Sequence, residues 1–338
     1  MSPSEVPTTS STDAPVLVTA VDRGSGSRRQ GAAALAVPCV VLAGIFLILV
    51  PWALARQPYW LGVATNVCVL ALGSLGVWVI FAIGRVDIAQ GAFAMLGGYA
   101  TAILSARLGL SFWLCLPLSV VVCSAVGAII GWAILPLRGV YFAMITLSLG
   151  EAMRLAVLNG GSVTNGARGF VDLPRAAGLT SPMAFYLLSA ALLLLGLLAV
   201  WRIATSRIGD VFRAMRQSEE LAASLGVDIT RYRIIAFAFA CGFGGVCGSF
   251  LTQFQQNIFP GTYSIADSIN FLLYCFLGGL EYVLGPLVGA GLLIVSFELL
   301  NELQSFQALL YGVLMIGLML FLPNGLMSLG LGFRRAQQ

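Results

Sequence analysis

Glu151 and Arg154 stand three residues apart in an apolar run covering about 139–159, a spacing that puts both on one helix face and permits an ion pair. A charge in hydrocarbon is costly unless paired or wetted. The two residues are therefore candidates for lining or gating the path of a polar solute, or for a pair that only neutralises itself against neighbouring helices. Asp87 and Gln90 belong to a glycine-rich run from Gly84 to Phe93, where they could face a polar cavity. A carboxylate at position 87 could equally cap a helix or bridge to Arg85. Asp267 opens a short apolar run at about 265–280, either on the path or at the membrane interface, and Glu281 lies at its inner end.

Composition removes most other chemistry. All 18 cationic residues are arginines, and neither histidine nor lysine occurs among the 338 residues. A Ser-His-Asp or Cys-His nucleophile, a His-based zinc site, a Walker A phosphate lysine and a Schiff-base amine are all excluded. The seven cysteines (Cys39, Cys68, Cys115, Cys123, Cys241, Cys247 and Cys275) fall inside apolar runs with no C-x-x-C spacing, and read as small core hydrophobes. No metal site, cofactor or enzymatic activity is expected. No basic face for nucleic acid is evident.

With 59% hydrophobic and 9% charged residues and a mean hydropathy of +0.95, the chain reads as an all-α polytopic membrane protein. Apolar runs at about 31–54, 60–84, 88–106, 111–137, 139–159, 183–202, 233–256, 265–280, 284–302 and 306–323 predict about ten transmembrane helices. The runs at 88–106 and 265–280 are short or glycine-interrupted, as in broken or re-entrant segments. Threaded from a cytoplasmic N-terminus, these spans put 13 arginines inside and four outside (Arg56, Arg107, Arg168 and Arg175), with Arg154 inside a span. The positive-inside rule therefore places both termini in the cytoplasm. Residues 1–30 read as a disordered cytoplasmic tail, 31–327 as the membrane domain and 328–338 as a cytoplasmic C-terminal tail.

Two connections are long. The turn-rich segment 160–182 lies outside and could meet an external partner. The cytoplasmic segment 203–232 contains one expected amphipathic helix at about 208–226, with Ile208, Val211, Phe212, Met215, Leu221 and Leu225 near helical spacing. Such a helix docks on a soluble partner or lies on lipid headgroups. The spacings Gly127/Gly131, Gly244/Gly248 and Gly285/Gly289 predict close helix packing within the chain. A faint echo between Phe93–Gly98 and Phe276–Gly279 raises a possible internal repeat.

Four stretches in order resemble the membrane subunits of ABC importers for branched-chain amino acids, in particular the LivM-type permeases. They are Gly84 to Tyr99; Tyr141-Phe-Ala with Thr146 and Glu151; Arg213-Ala-Met-Arg216 with Glu219, Ala222 and Gly226; and Gly278-Gly279 with Gly285-Pro286, Gly289-Ala290 and Phe321 to Leu326. The resemblance covers about residues 60–330. It implies a permease in the cytoplasmic membrane of a prokaryote, paired with a sister permease, two ABC ATPase subunits and an extracytoplasmic solute-binding protein. A small polar solute, such as a branched-chain amino acid, urea or an amide, would pass by alternating access. It also implies that Arg213, Arg216, Glu219, Ala222 and Gly226 couple to the ATPases. Asp87, Gln90, Glu151, Arg154 and Asp267 remain the candidates for the path. The chain departs from the family pattern at Asp87, Gln90 and Glu281, where Ser or Asn, His and Gly are usual. The alternative is a stand-alone secondary transporter or channel, in which Glu151 or Asp267 would couple an ion.

Overall fold

The computed structural model describes residues 57–137, 139–176, 178–303, 307–321 and 325–327. The expected first span, both terminal tails, Cys39, Arg56 and Arg138 lie outside the described residues. What is described is all helix but for one isolated bridge between Phe170 and Ile258.

In chain order the helices are α1 (Pro58–Ala82), α2 (Gln90–Leu108), α3 (Phe112–Ile134), α4 (Val140–Leu158), the single turn α5 (Gly161–Thr164), α6 (Pro182–Ala204), α7 (Arg207–Gln217), α8 (Glu219–Ser224), α9 (Ile229–Gln255), α10 (Ile265–Gly278), α11 (Gly285–Leu299) and α12 (Gln307–Phe321). Among them α1, α3, α4, α6 and α9 are long and apolar enough to cross a membrane. The apolar helices α10 and α11 are shorter, at 14 and 15 residues. At 1.5 Å per residue they reach about 21 and 22 Å, against about 30 Å of hydrocarbon. The chain is thus a polytopic membrane protein. Local chemistry starts several helices: Pro58 and Pro182 occupy first-turn positions, and Ser181, Ser206, Ser218 and Asp228 each accept a backbone N–H from the turn that follows.

The centre of the bundle is α9, packed on α1, α2 and α3. Glycine makes this possible. A Cβ on Gly248 would stand 1.7 Å from the Ala94 carbonyl oxygen, so α2 and α9 meet backbone to backbone. The other two glycine spacings also serve packing within the chain: Gly127 and Gly131 lie against Cys241 and Phe237 of α9, and Gly285 and Gly289 against the end of α10. The echoed glycine pairs hold different places, Gly97 and Gly98 in mid-helix and Gly278 and Gly279 at the end of α10. The six described cysteines are free and buried.

Helix α1 serves as a ruler for the elements beside it. The Gln90 amide donates to the Gly73 carbonyl at 2.8 Å, so α2 begins nine residues, or about 14 Å, short of the end of α1. A non-helical segment, 85–89, bridges that distance. Phe271 of α10 also packs at Gly73, and Phe276 meets Phe81, so α10 likewise starts part-way along α1 and runs toward its C-terminal end. Helix α4 is held loosely, with Phe142 and Thr146 its only buried side chains among the described residues.

One expectation is corrected. The predicted single helix at 208–226 is two, broken at Ser218, whose extended backbone lets its hydroxyl accept the Leu221 N–H at 3.2 Å. The turn-rich segment 160–182 is anchored to the end of α9 and the residues after it. Phe170 and Ile258 exchange two backbone hydrogen bonds of 2.9 Å, the Gln253 amide donates to the Pro174 carbonyl, and Phe170, Leu173 and Leu179 are buried.

Candidate functional site

Three elements converge on one cleft. Ile88 comes from the non-helical segment before α2 and Ala92 from its first turn; Leu147, Gly150, Glu151 and Arg154 from α4; Tyr263 and Ser264 from just before α10, and Ile265 and Ser268 from its first turn. The cleft is narrow, with room of about 10 Å³, enough for about one water molecule. Ser268 closes the junction between the two helix starts by accepting the Gly91 N–H at 3.2 Å.

Glu151 and Arg154 meet as the spacing predicts, in a bidentate pair with Nε–Oε2 at 2.9 Å and Nη2–Oε1 at 2.5 Å. Both side chains keep about a third of their surface exposed. The pair is therefore neither sealed in the core nor fully solvated, and it is the charged feature of the cleft wall.

The other path candidates hold the starts of α2 and α10. Asp87 is fully buried, and its Oδ1 accepts the Ala89 N–H at 2.9 Å, at the turn that starts α2. Gln90 spends its amide N–H groups on the Gly73 and Ala240 carbonyls, tying α2 to α1 and α9. The Asp267 carboxylate accepts the backbone N–H (2.8 Å) and hydroxyl (2.7 Å) of Ser264, capping α10. Asp87, Gln90 and Asp267 thus hold the two helix starts, and the carboxylates at 87 and 267 offset the partial positive charge there. Among the described residues no group of three His, Cys, Asp or Glu side chains could hold a metal ion.

A second cluster lies at the end of the bundle that carries α7 and α8. Glu219 pairs with Arg85 at 3.2 Å and with Arg233, the residue before the apolar stretch of α9. Arg85 also donates to the Leu137 carbonyl and stacks over Phe142 at 5.3 Å, while Arg233 donates to the Leu135 carbonyl at 3.3 Å. Burial pushes the Glu219 carboxyl up, but the hydrogen bond and charge of Arg233 and the charge of Arg85 outweigh it and hold the group below its ordinary value. Arg216 lies over the Phe81 ring at 4.6 Å. Ala222 is buried beside this cluster, whereas Leu221 and Leu225 point outward, 62% and 77% exposed. Arg213 reaches Asp210 on its own helix, and Gly226 takes a positive φ of 83° that ends α8.

Reading the sequence by composition alone leaves Arg85 and Arg233 as two inside arginines. Their shared partner is 134 and 14 residues away respectively, and no local spacing announces the first pairing. Ser268, which receives the Gly91 N–H, is equally silent, and Thr146, which receives that of Ile88, is marked only by the family resemblance.

A polytopic helical bundle with an ion-paired cleft at the starts of α2 and α10 has the features a membrane permease requires. The family model described as the permease component of the branched-chain amino acid transport system matches residues 59–323, and the chain belongs to that family. It is 29% identical to the high-affinity branched-chain amino acid transport system permease protein LivM of Salmonella typhimurium, over 85% of this chain and 74% of that protein. The Escherichia coli LivM is 28% identical over the same shares. A probable branched-chain amino acid transport permease protein LivH of Methanocaldococcus jannaschii is 26% identical, over 76% of this chain and 88% of its own length. No solved structure matches. The chain is a non-catalytic permease subunit of an ABC-type transporter.

Proposed function

We propose that this permease carries a small polar solute of zero net charge, a branched-chain amino acid or a related small molecule, inward across the cytoplasmic membrane of a prokaryote. The observation that carries this reading is the Glu151–Arg154 pair on the wall of a cleft where two helices start inside an apolar bundle. One carboxylate and one guanidinium offer complementary partners to a zwitterion and donors and acceptors to an amide. Together they give the cleft no net charge.

The remaining surfaces fit an assembly. An ion pair about a third exposed on a membrane helix needs cover from lipid. The exposed side of α4, with Val140, Tyr141, Met144 and Leu155, is where a sister permease would complete the path. Leu221 and Leu225 on α8, with Arg213 on α7, would dock an ABC ATPase, since the chain has no lysine for a phosphate loop of its own. An extracytoplasmic solute-binding protein would deliver the solute, and both termini would lie in the cytoplasm. The ten-span count, with a first span at 31–54, belongs to this proposal.

The test is purification of the C-terminally tagged chain from its native membrane, followed by uptake in proteoliposomes. Recovery of two ATPases and a second permease, with leucine, isoleucine, valine or urea uptake driven by ATP, supports the reading. Recovery of the chain alone overturns the assembly. Unchanged rate and affinity in a Glu151→Gln, Arg154→Met double variant removes the pair from the path.

A further inference from the structure

We infer that Arg85 and Glu219 are positioning residues that form a strut, passing movement of α7 and α8 to the cleft through the non-helical segment 85–89. The inference rests on the ATPase-docking role proposed for α7 and α8. It adds the route by which a displacement there reaches the solute cleft.

One end of the route is the Glu219 carboxylate, at the first residue of α8, held by Arg85 and Arg233. The Arg85 side chain is 3% exposed, so the contact is shielded from water. Three residues further on, Ile88 lines the cleft. Three residues of chain span at most about 11 Å, so little slack exists between the ion pair and the cleft wall. A helix would spread a pull over its hydrogen-bonded turns, but α2 does not begin until Gln90.

The other end grips the wall that carries the charge pair. The Arg85 guanidinium stacks on Phe142, and the Ile88 N–H donates to the Thr146 hydroxyl at 3.2 Å. Phe142 and Thr146 are the two buried side chains of α4 among the described residues. The segment thus touches both points at which α4 is anchored. Glu151 and Arg154 lie one to two turns beyond on the same helix. Gly91, just inside α2, donates to Ser268 of α10, so the opposite wall is engaged as well. Gly84 fits the same account: with φ at 80° it turns the chain out of α1, and a Cβ there would lie 3.3 Å from the Arg216 Cα. The end of α1, α7 and the start of the segment are packed as one joint.

The test uses the complete transporter in nanodiscs with a reporter inside the cleft. Gly150 faces the cleft, and a Cβ there meets nothing nearer than Ala92 at 3.8 Å, so Gly150→Cys has room. The readout is the rate of labelling by a membrane-impermeant maleimide in ADP and in ATP plus vanadate. In the Gly150→Cys background the two rates should differ by about tenfold or more, and adding Arg85→Met or Glu219→Gln should reduce the ratio to below about twofold with ATP binding retained. A full ratio in either assembled variant overturns the strut while leaving the docking role intact. Failure of both variants to assemble also overturns it, since the residues would then hold the complex together rather than carry motion. A reporter indifferent to nucleotide in the parent background overturns the coupling role of α7 and α8 itself, and the strut with it.

Discussion

Removing one member of the Glu151–Arg154 pair leaves a charge in a half-open membrane cleft without its counterpart, whereas removing both leaves a neutral wall. Glu151→Gln alone should therefore lower the amount of folded protein in the membrane by several-fold, and Arg154→Met in the same chain should restore it without restoring uptake. Quantitative size-exclusion profiles of the tagged protein measure the first effect and proteoliposome uptake the second. Glu219 makes a different demand. Its carboxyl is held below its ordinary value by Arg233 and Arg85, so its contribution to stability is complete above the unfolded value of about 4.3 and is lost as the pH falls through the lower folded value. The difference in thermal midpoint between the parent and Glu219→Gln should be constant from pH 8 to about 5 and shrink below about 4. A difference that shrank on raising the pH would contradict the ion-pair account.

Between elements, the seam of α2 and α9 is the least forgiving. Gly248→Ala places a methyl group into the Ala94 carbonyl, a backbone atom that cannot rotate away, and should cost about 1–3 kcal/mol. Gly62→Ala on α1 meets nothing within 4 Å and should gain up to about 1 kcal/mol from helix propensity. Melting curves in one detergent compare the two. That such glycines pack helices was legible from their spacing, because closeness of backbones leaves a four-residue signature. The Glu151–Arg154 pair was legible for the same reason, being local on one helix face. The Ser218 break was not, since apolar spacing runs on through Leu221 and Leu225 and only the serine's own backbone turn interrupts it. Asp267 carried its role openly, as a serine followed three residues later by a carboxylate, but its place in an apolar run pointed toward the path instead. The joining of Arg85 to Glu219 depends on where α1, α3 and α9 end relative to one another, which no single stretch of sequence encodes.

At the scale of the molecule, the outward side of α8 is the surface most directly exposed to test. Leu221→Arg puts a charge on an exposed position away from the buried Ala222, so insertion and folding should be unchanged. Recovery of the ATPases with the tagged chain should fall about tenfold, as expected for the loss of an apolar anchor at an interface. Equal recovery would move the docking surface elsewhere. The balance of charge in the cleft has an electrical consequence. Glu151 and Arg154 cancel, and the solute proposed to match them carries no net charge, so its passage would move none across the membrane field. Each uncompensated charge would couple to about 2.3 kcal/mol per 100 mV. Uptake into proteoliposomes should then proceed at the same rate with or without an imposed potassium diffusion potential, and a cell holding this transporter would draw on it equally whether its membrane is energised or collapsed, provided ATP is present.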